Sequence, residues 1–329
     1  MSPEYTAARQ ELLDQLANSQ RVLVTTHVRP DGDALGTTAA MILGMRHKGI
    51  DAEPLLLSDM PHKYAFVYEN AGISHHTLET VDLKRFDCLL VCDTGTWSQL
   101  PGLAERAQTW FVPKLVLDHH LTQEAWSDVK LVNTAAAAAG EIAFDVLKHW
   151  HVPLDPLIAE ALFVAICTDT GWFQYSSTTP MTLRTAAELI EAGVDTDRLQ
   201  QRLYQSEKAK RIFLQARVLG SLQLHARERV AVVKATRADF EATGAGTPDT
   251  EDVVNVPMAI ASVQVSLLAA ELPEGGPVKL SLRSKGGVNC AEVAQQFEGG
   301  GHARAAGCRF AGTLEEAATA VVKVIEKLL

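Results

Sequence analysis

Four short clusters of acids and histidines stand out in the first half of the chain. His27-Val-Arg-Pro-Asp31-Gly-Asp33-Ala-Leu-Gly36 follows the apolar run Arg21–Thr26, and Asp93-Thr-Gly-Thr follows Asp87–Cys92. Asp118-His119-His120 closes Lys114–Leu117, and Asp169-Thr-Gly follows Ala161–Cys167. Each run reads as a buried strand, so each cluster falls at a strand end. In open α/β sheets ligands bind just beyond the carboxyl ends of the strands, and the four clusters could face one crevice. Oxygen and imidazole donors without thiolates suit manganese, magnesium or iron better than structural zinc. So many carboxylates converging without a cation would repel one another and raise their pKa values. Two divalent cations roughly 3.5–4 Å apart, bridged by a shared carboxylate, remove that conflict and activate water for in-line displacement at phosphorus. Taken singly, each cluster has a plainer reading. Asp33 could cap a helix beginning near Ala34, and His119-His120 could be a solvated loop. Four coincidences at four strand ends favour the metal.

A second motif lies near the C-terminus, Gly299-Gly300-Gly301-His302-Ala-Arg304-Ala-Ala-Gly307. A triple glycine exposes backbone N–H groups that can cradle a phosphate, and the histidine can bond to or stack on a nucleotide. Alone it could equally be a flexible turn. Arg283-Ser284, at the end of an expected strand, could supply a bidentate phosphate contact or be surface charge. His75-His76, His149 and His151 follow no such pattern, and surface or core packing accounts for them.

The elements that must position these residues alternate. Arg21–Thr26, Asp87–Cys92 and Lys114–Leu117 fit strands of a parallel sheet, with helix-like stretches such as Ala34–Lys48 between them. Asn133-Thr134 followed by an alanine run and Gly140–Trp150 reads as a capped helix. This rhythm predicts an α/β fold with a doubly wound, mostly parallel sheet over 1–185. Residues 186–225 read as a helical connector of one or two helices. Val230–Lys234, Ser262–Leu268 and Val278–Arg283 read as strands, and Ala291–Phe297 and Leu314–Leu329 as helices, the last capped by Thr313. A smaller α+β domain over 226–329 follows, with Thr243–Thr250 a loop by its turn residues.

Composition narrows the partners. A formal charge of −10 argues against gripping long duplex nucleic acid by many phosphate contacts, but not against a small phosphorylated substrate. No apolar run reaches the roughly 18 residues of a membrane span, and Met1–Gln20 lacks the layout of a secretory signal. The five scattered cysteines have no C-x-x-C spacing and read as buried free thiols, so a cytoplasmic protein is expected. The helical stretch and apolar strands could support a homodimer.

The segments HVRPDGDALG, CDTG, DHH and TDTG, in that order, resemble the DHH phosphoesterase superfamily, and GGGHARAAG resembles its associated C-terminal domain. The likeness covers nearly the whole chain. Thr168-Asp-Thr-Gly-Trp-Phe173 with Tyr175-Ser-Ser-Thr178 looks most like the NrnA-type subgroup of nano-RNases and 3′-phosphoadenosine-5′-phosphate (pAp) phosphatases. The resemblance implies that His27 and Asp31 bind one metal, that Asp93 bridges, and that Asp33, His119 and Asp169 complete a second site. It implies that His120 meets the substrate phosphate and that Asp118 positions the neighbouring histidines. Arg283, Ser284, Gly300, Gly301 and His302 would hold the far end of the substrate across an interdomain cleft. The cofactor implied is manganese, with magnesium or cobalt as substitutes. Short RNA oligonucleotides, pAp or pApA are the substrates implied. Competing readings are a manganese pyrophosphatase, a RecJ-type single-strand exonuclease, and a silent nucleotide sensor. The sensor should lack a metal ligand, and none is missing.

Overall fold

The computed structural model describes residues 2–329 and divides into two compact units, Met1–Gln205 and Ser206–Leu329. The first unit begins with α1 (Pro3–Ala17), β1 (Arg21–Thr25), α2 (Gly32–His47), β2 (Asp51–Leu55) and α3 (Ala65–Asn70). It continues through β3 (Cys88–Cys92), α4 (Leu103–Ala107), β4 (Lys114–Asp118) and β5 (Val129–Val132). The helices α5 (Ala139–His149), α6 (Pro156–Asp169), α7 (Pro180–Glu191) and α8 (Thr196–Tyr204) complete it. All five strands pair in parallel in the order β2-β1-β3-β4-β5. The order reverses between β1 and β3, and such a switch point is where an open α/β sheet leaves a crevice beyond its strand ends.

Strand alternation divides the interior. Val22 and Val24 of β1, with Leu90 of β3 and Leu117 of β4, face the main core with α1, α2, α5 and α6. Leu23, Leu89, Val91 and Val116 face the other way, against Leu100 and Leu103. Both faces are buried, which is why these strands read as unbroken apolar runs.

Two expectations from sequence are corrected. Ala161–Cys167 is not a strand but the middle of α6, so Asp169 lies at a helix C-terminus. Its helical start is set by Asp155, whose carboxylate accepts from the Leu157 and Ile158 N–H groups, with Pro156 at the first position. A helix buried on nearly every side has the same unbroken apolar signature as a central strand. The second correction concerns α5, which starts at Ala139. Asn133 caps no helix; its side chain instead accepts from Ala135 N–H within a loop.

The second unit holds α9 (Ala209–Gly220), β6 (Gln223–His225), β7 (Val230–Ala235), α10 (Arg237–Thr243), β8 (Val265–Ala270) and β9 (Val278–Ser284). It ends with α11 (Cys290–Gln295), β10 (Gly300–His302), β11 (Ala305–Phe310) and α12 (Leu314–Glu326). Its mixed sheet runs β10-β11-β9-β8-β7-β6, with β7 and β8 parallel and the other pairs antiparallel. One face packs on α11 and α12 through Leu280, Leu282, Val293 and Val321. On the other face Val233, Leu268 and Phe240 meet Leu214 and Val218 of α9. Thr313 caps α12 in a capping box with Glu316. Residues 180–220 form three helices. The first two send Leu189, Leu199 and Leu203 into the first core, and α9 serves the second. All five cysteines are buried and unpaired. Among the described residues no helix is long and apolar enough to cross a membrane.

Candidate metal centre

Three strand ends and one helix end deliver the acids and histidines to one place. Beyond β1 the chain turns through His27 into α2, whose N-cap is Asp31, its carboxylate accepting from Ala34 N–H at 3.0 Å. Asp93 leaves β3 with a left-handed backbone, φ +62°, an uncommon conformation for a non-glycine residue. Its N–H is held by the Leu117 carbonyl of β4. His119 and His120 follow β4 directly, and Asp169 arrives from α6.

The donor atoms converge. His27 Nε2 lies 3.5 Å from Asp93 Oδ2 and 4.0 Å from Asp31 Oδ1. His119 Nε2 lies 3.4 Å from Asp93 Oδ1, 3.7 Å from Asp33 Oδ2 and 3.6 Å from Asp169 Oδ2. Three sets of three, His27–Asp31–Asp93, Asp33–His119–Asp169 and Asp93–His119–His120, each bring one donor atom per residue within 4.8 Å of one another. Both imidazoles are aimed by their other nitrogen: His27 Nδ1 lies 3.0 Å from the Val28 carbonyl and His119 Nδ1 3.4 Å from that of Ala136. A backbone partner at Nδ1 leaves Nε2 free to act as a ligand. Asp93 Oδ1 is buried and satisfied by no hydrogen bond. A buried carboxylate oxygen left without a hydrogen bond is costly, and a cation between it and the facing donors would compensate it. The residues therefore fit a divalent metal.

The electrostatics say the same. Burial, then the charges of Asp93 and Asp169, push Asp33 well above the ordinary carboxylate range. Burial lifts Asp169 to about 6, opposed by His119 and reinforced by Asp93 and Asp31. Burial and Asp93 also raise Asp31. Burial works against charged imidazoles, yet the Asp93 carboxylate outweighs it and lifts His27 to about 9. Burial opposes the charge on His119 too, and Asp93, with Asp33 and Asp169, overcomes it and lifts that ring to about 10. Asp93 is itself held low, burial being overcome by His119 and His27. Without a cation the pocket must borrow protons to balance its carboxylates.

Asp118 is fully buried and organises the loop after β4. One of its oxygens accepts from the His119 and His120 N–H groups at 2.8 and 3.2 Å and meets His120 Nδ1 at 2.8 Å. The other accepts from the Gln123 amide. Through this Asp118 contact the His120 ring, half exposed, acquires a raised pKa and leaves Nε2 without a protein partner among the described residues. Gln123 is a participant that sequence reasoning missed. It stands in a polar loop with nothing to mark it, but a Cβ on Gly95 would collide with its side-chain oxygen.

Asp33 has a second role. Its carboxylate accepts from the N–H groups of Ala139 and Gly140, at 2.7 and 2.9 Å, capping α5 from more than a hundred residues away. Asp33 thus does cap a helix, though α5 and not its own. Close packing of α2 on α6 brings Asp33 and Asp169 together. A Cβ on Gly32 would collide with Thr168 Oγ1, and one on Gly36 with the Ala161 carbonyl oxygen.

In the second unit Arg283 points to the partly exposed face of β9, whereas Ser284, next in the strand, is buried and its hydroxyl accepts from Gly286 N–H at 3.0 Å. Adjacent strand residues face opposite ways, so Arg283 and Ser284 do not present their side chains together. The glycine run forms the edge strand β10. Gly299 and Gly301 are required by packing, because a Cβ at either would strike the backbone of β11, and Gly301 has φ +142°. Gly300 is open. His302 pairs with Ala305, which pairs with Arg283, so these three share one row of the sheet.

Comparison with known proteins gives two matching domains. Residues 21–166 match the DHH family N-terminal domain, and residues 230–329 match the DHHA1 domain. A bifunctional oligoribonuclease and PAP phosphatase NrnA from Thermus thermophilus is 29% identical over 309 residues, 94% of this chain and 90% of that protein. An exopolyphosphatase-related protein from Bacteroides fragilis shares the fold, with TM-score 0.88 and 22% identity, covering 98% of this chain and 96% of the other. The exonuclease RecJ bound to manganese is more distant, with TM-score 0.54 and 20% identity, covering 98% of this chain and 94% of the other.

Proposed function

The chain belongs to the DHH family, and from that premise we propose that it is a metal-dependent phosphoesterase acting on short oligoribonucleotides and on pAp. The observation that carries the proposal is the pair of donor sets sharing the environment of Asp93, whose Oδ1 is buried and accepts no hydrogen bond. In this reading His27 and Asp31 would hold one divalent cation, Asp33, His119 and Asp169 would hold the other, and Asp93 would contribute to both. Manganese suits this mixture of carboxylate and imidazole, and magnesium or cobalt would substitute. Cations bound there would activate a water and offset charge developing at phosphorus.

The chain's own residues do the rest. Asp118 fixes the His120 ring, so its Nε2 can meet a phosphate oxygen or hand a proton to the leaving oxygen. Asp31 and Asp33 are held by the helices they cap, so ligand geometry is set before substrate arrives. Arg283, Gly300, Gly301 and His302 would hold the distant end of the substrate. Ser284 would act through the turn it supports.

Chromatography of products from pAp, pApA, a five-nucleotide RNA and pyrophosphate, with Mn²⁺, tests the reading. Turnover of the nucleotides and not of pyrophosphate is expected. Asp93→Ala should abolish turnover, and Arg283→Ala should weaken substrate binding. Pyrophosphate turnover alone would move the chain to a different activity.

A further inference from the structure

Strand register on β9 and β11 sets out a second group of unused cations. Lys279, Ser281 and Arg283 of β9 lie opposite Arg309, Gly307 and Ala305 of β11. The alternate residues Leu280, Leu282, Ala306 and Cys308 belong to the core, so the first six occupy the opposite face, where Arg309 is exposed and the others are partly exposed. A concavity of about 440 Å³ opens at one end of this face, lined among others by Lys279, Ser281, Gly299, Gly307, Arg309 and Glu298.

Lys279 and Arg309 are direct register partners, which places their Cβ atoms about 5 Å apart, and like charges so placed destabilise a sheet. Among the described residues neither forms an ion pair. In the same unit Lys210, Arg217 and Lys234 are each matched to an acid, at 3.0, 2.8 and 2.7 Å. Glu298 lines the concavity yet pairs with neither cation. Two facing cations over a floor of serine and glycine are suited to an anion with a flat body attached.

We propose that Lys279 and Arg309 form a second phosphate subsite for an oligonucleotide. It is displaced from Arg283 by four residues along β9, or about 13 Å at the usual strand rise. The inference rests on the short-oligonucleotide reading of the substrate and extends it. Between the two positions Ser281, Gly307 and Gly300 carry no bulky side chain, leaving room for the intervening nucleotides to lie along the sheet. The subsite makes affinity depend on substrate length. A mononucleotide held near Arg283 cannot reach Lys279, and a longer chain can.

The test is binding of a phosphorothioate-linked five-nucleotide RNA, and separately of pAp, to the full Mn²⁺-loaded chain by fluorescence anisotropy or calorimetry over a range of salt. For Lys279→Ala/Arg309→Ala the five-nucleotide ligand should bind about tenfold more weakly, the scale of losing charged hydrogen bonds. The slope of log affinity against log salt should become shallower by about 0.7 for each phosphate that is no longer neutralised. Affinity for pAp should change several-fold less, and Lys279→Arg/Arg309→Lys should restore the longer ligand. Thermal melting of each variant checks that the sheet is intact. Equal loss for both ligands, no loss for either, or a wild-type chain that does not bind the five-nucleotide ligand would overturn the subsite. Length-selective binding by a chain that hydrolyses none of its nucleotides would instead sink the phosphoesterase reading and leave the subsite standing.

Discussion

Asp93 turns one oxygen to His27 and the other to His119, from a backbone held at φ +62°. The carboxylate holds protons on both imidazoles in the metal-free chain, raising them to about 9 and about 10. A cation must displace those protons. Mn²⁺ affinity should therefore climb as pH rises from about 6 toward about 9, with protons released on binding. Titration calorimetry in two buffers of different ionisation heat measures the release, and binding without proton release would contradict the assignment. Asp169 runs the other way. A carboxyl raised to about 6 destabilises the metal-free fold when ionised, so the penalty is present above pH 6 and disappears as pH falls below the unfolded value. Asp169→Asn should stabilise the metal-free protein at pH 8, by on the order of 1 kcal/mol allowing for partial exposure, while weakening metal binding. Urea unfolding at pH 8 and pH 4 checks this, since the gain should vanish at the lower pH. These residues were legible because their types and order are distinctive. Gln123 was not, because a single amide in a polar loop has no pattern until Asp118 and Gly95 are seen around it.

Helix α2 can approach α6 because Gly32 and Gly36, one turn apart, present no side chain to Ala161, Ala165 and Thr168. At Gly36 the obstacle is a backbone oxygen, which cannot rotate away. At Gly44 a Cβ would meet only the tip of Leu147. Gly36→Ala should accordingly cost about 1–3 kcal/mol and weaken metal affinity by separating Asp33 from Asp169. Gly44→Ala should cost less and leave affinity near wild type. Denaturant unfolding and Mn²⁺ titration of both variants test this, and equal effects would refute the packing argument. At this scale the central strands β1, β3 and β4 were readable from their Val- and Leu-rich runs. The edge strand β2 was not, because Asp51-Ala-Glu-Pro54-Leu mixes polar residues with a proline tolerated only at a sheet edge. Helix α6 reads as a strand from sequence because its interior is apolar on every side, and periodicity carries no information when both faces are buried.

Across the whole molecule, the two units carry separate buried clusters. The first contains every residue of the metal centre, and the second contains Arg283, Gly300 and His302. Ligand binding stabilises only the structure that holds the ligand, by RT ln(1 + [L]/Kd). Calorimetric melting should therefore resolve more than one transition, with Mn²⁺ moving the one that belongs to the first unit. A single transition that shifts as a whole would mean that the units unfold together. The overall α/β plan with a smaller second domain was readable from the change in rhythm after the helical stretch. Where the chain divides was less so, because α7, α8 and α9 look alike as amphipathic helices and only their packing partners separate them.

The carboxylate of Asp33 answers to two masters: the donors around His119, and the N–H groups that begin α5. A descendant of this chain that abandoned its chemistry could shed Asp169, which caps no helix, with little architectural penalty, yet would still be held to a hydrogen-bond acceptor at position 33. Persistence of that acid in a divergent lineage therefore records the inheritance of a helix, and only loss or retention of its neighbours records the fate of the activity.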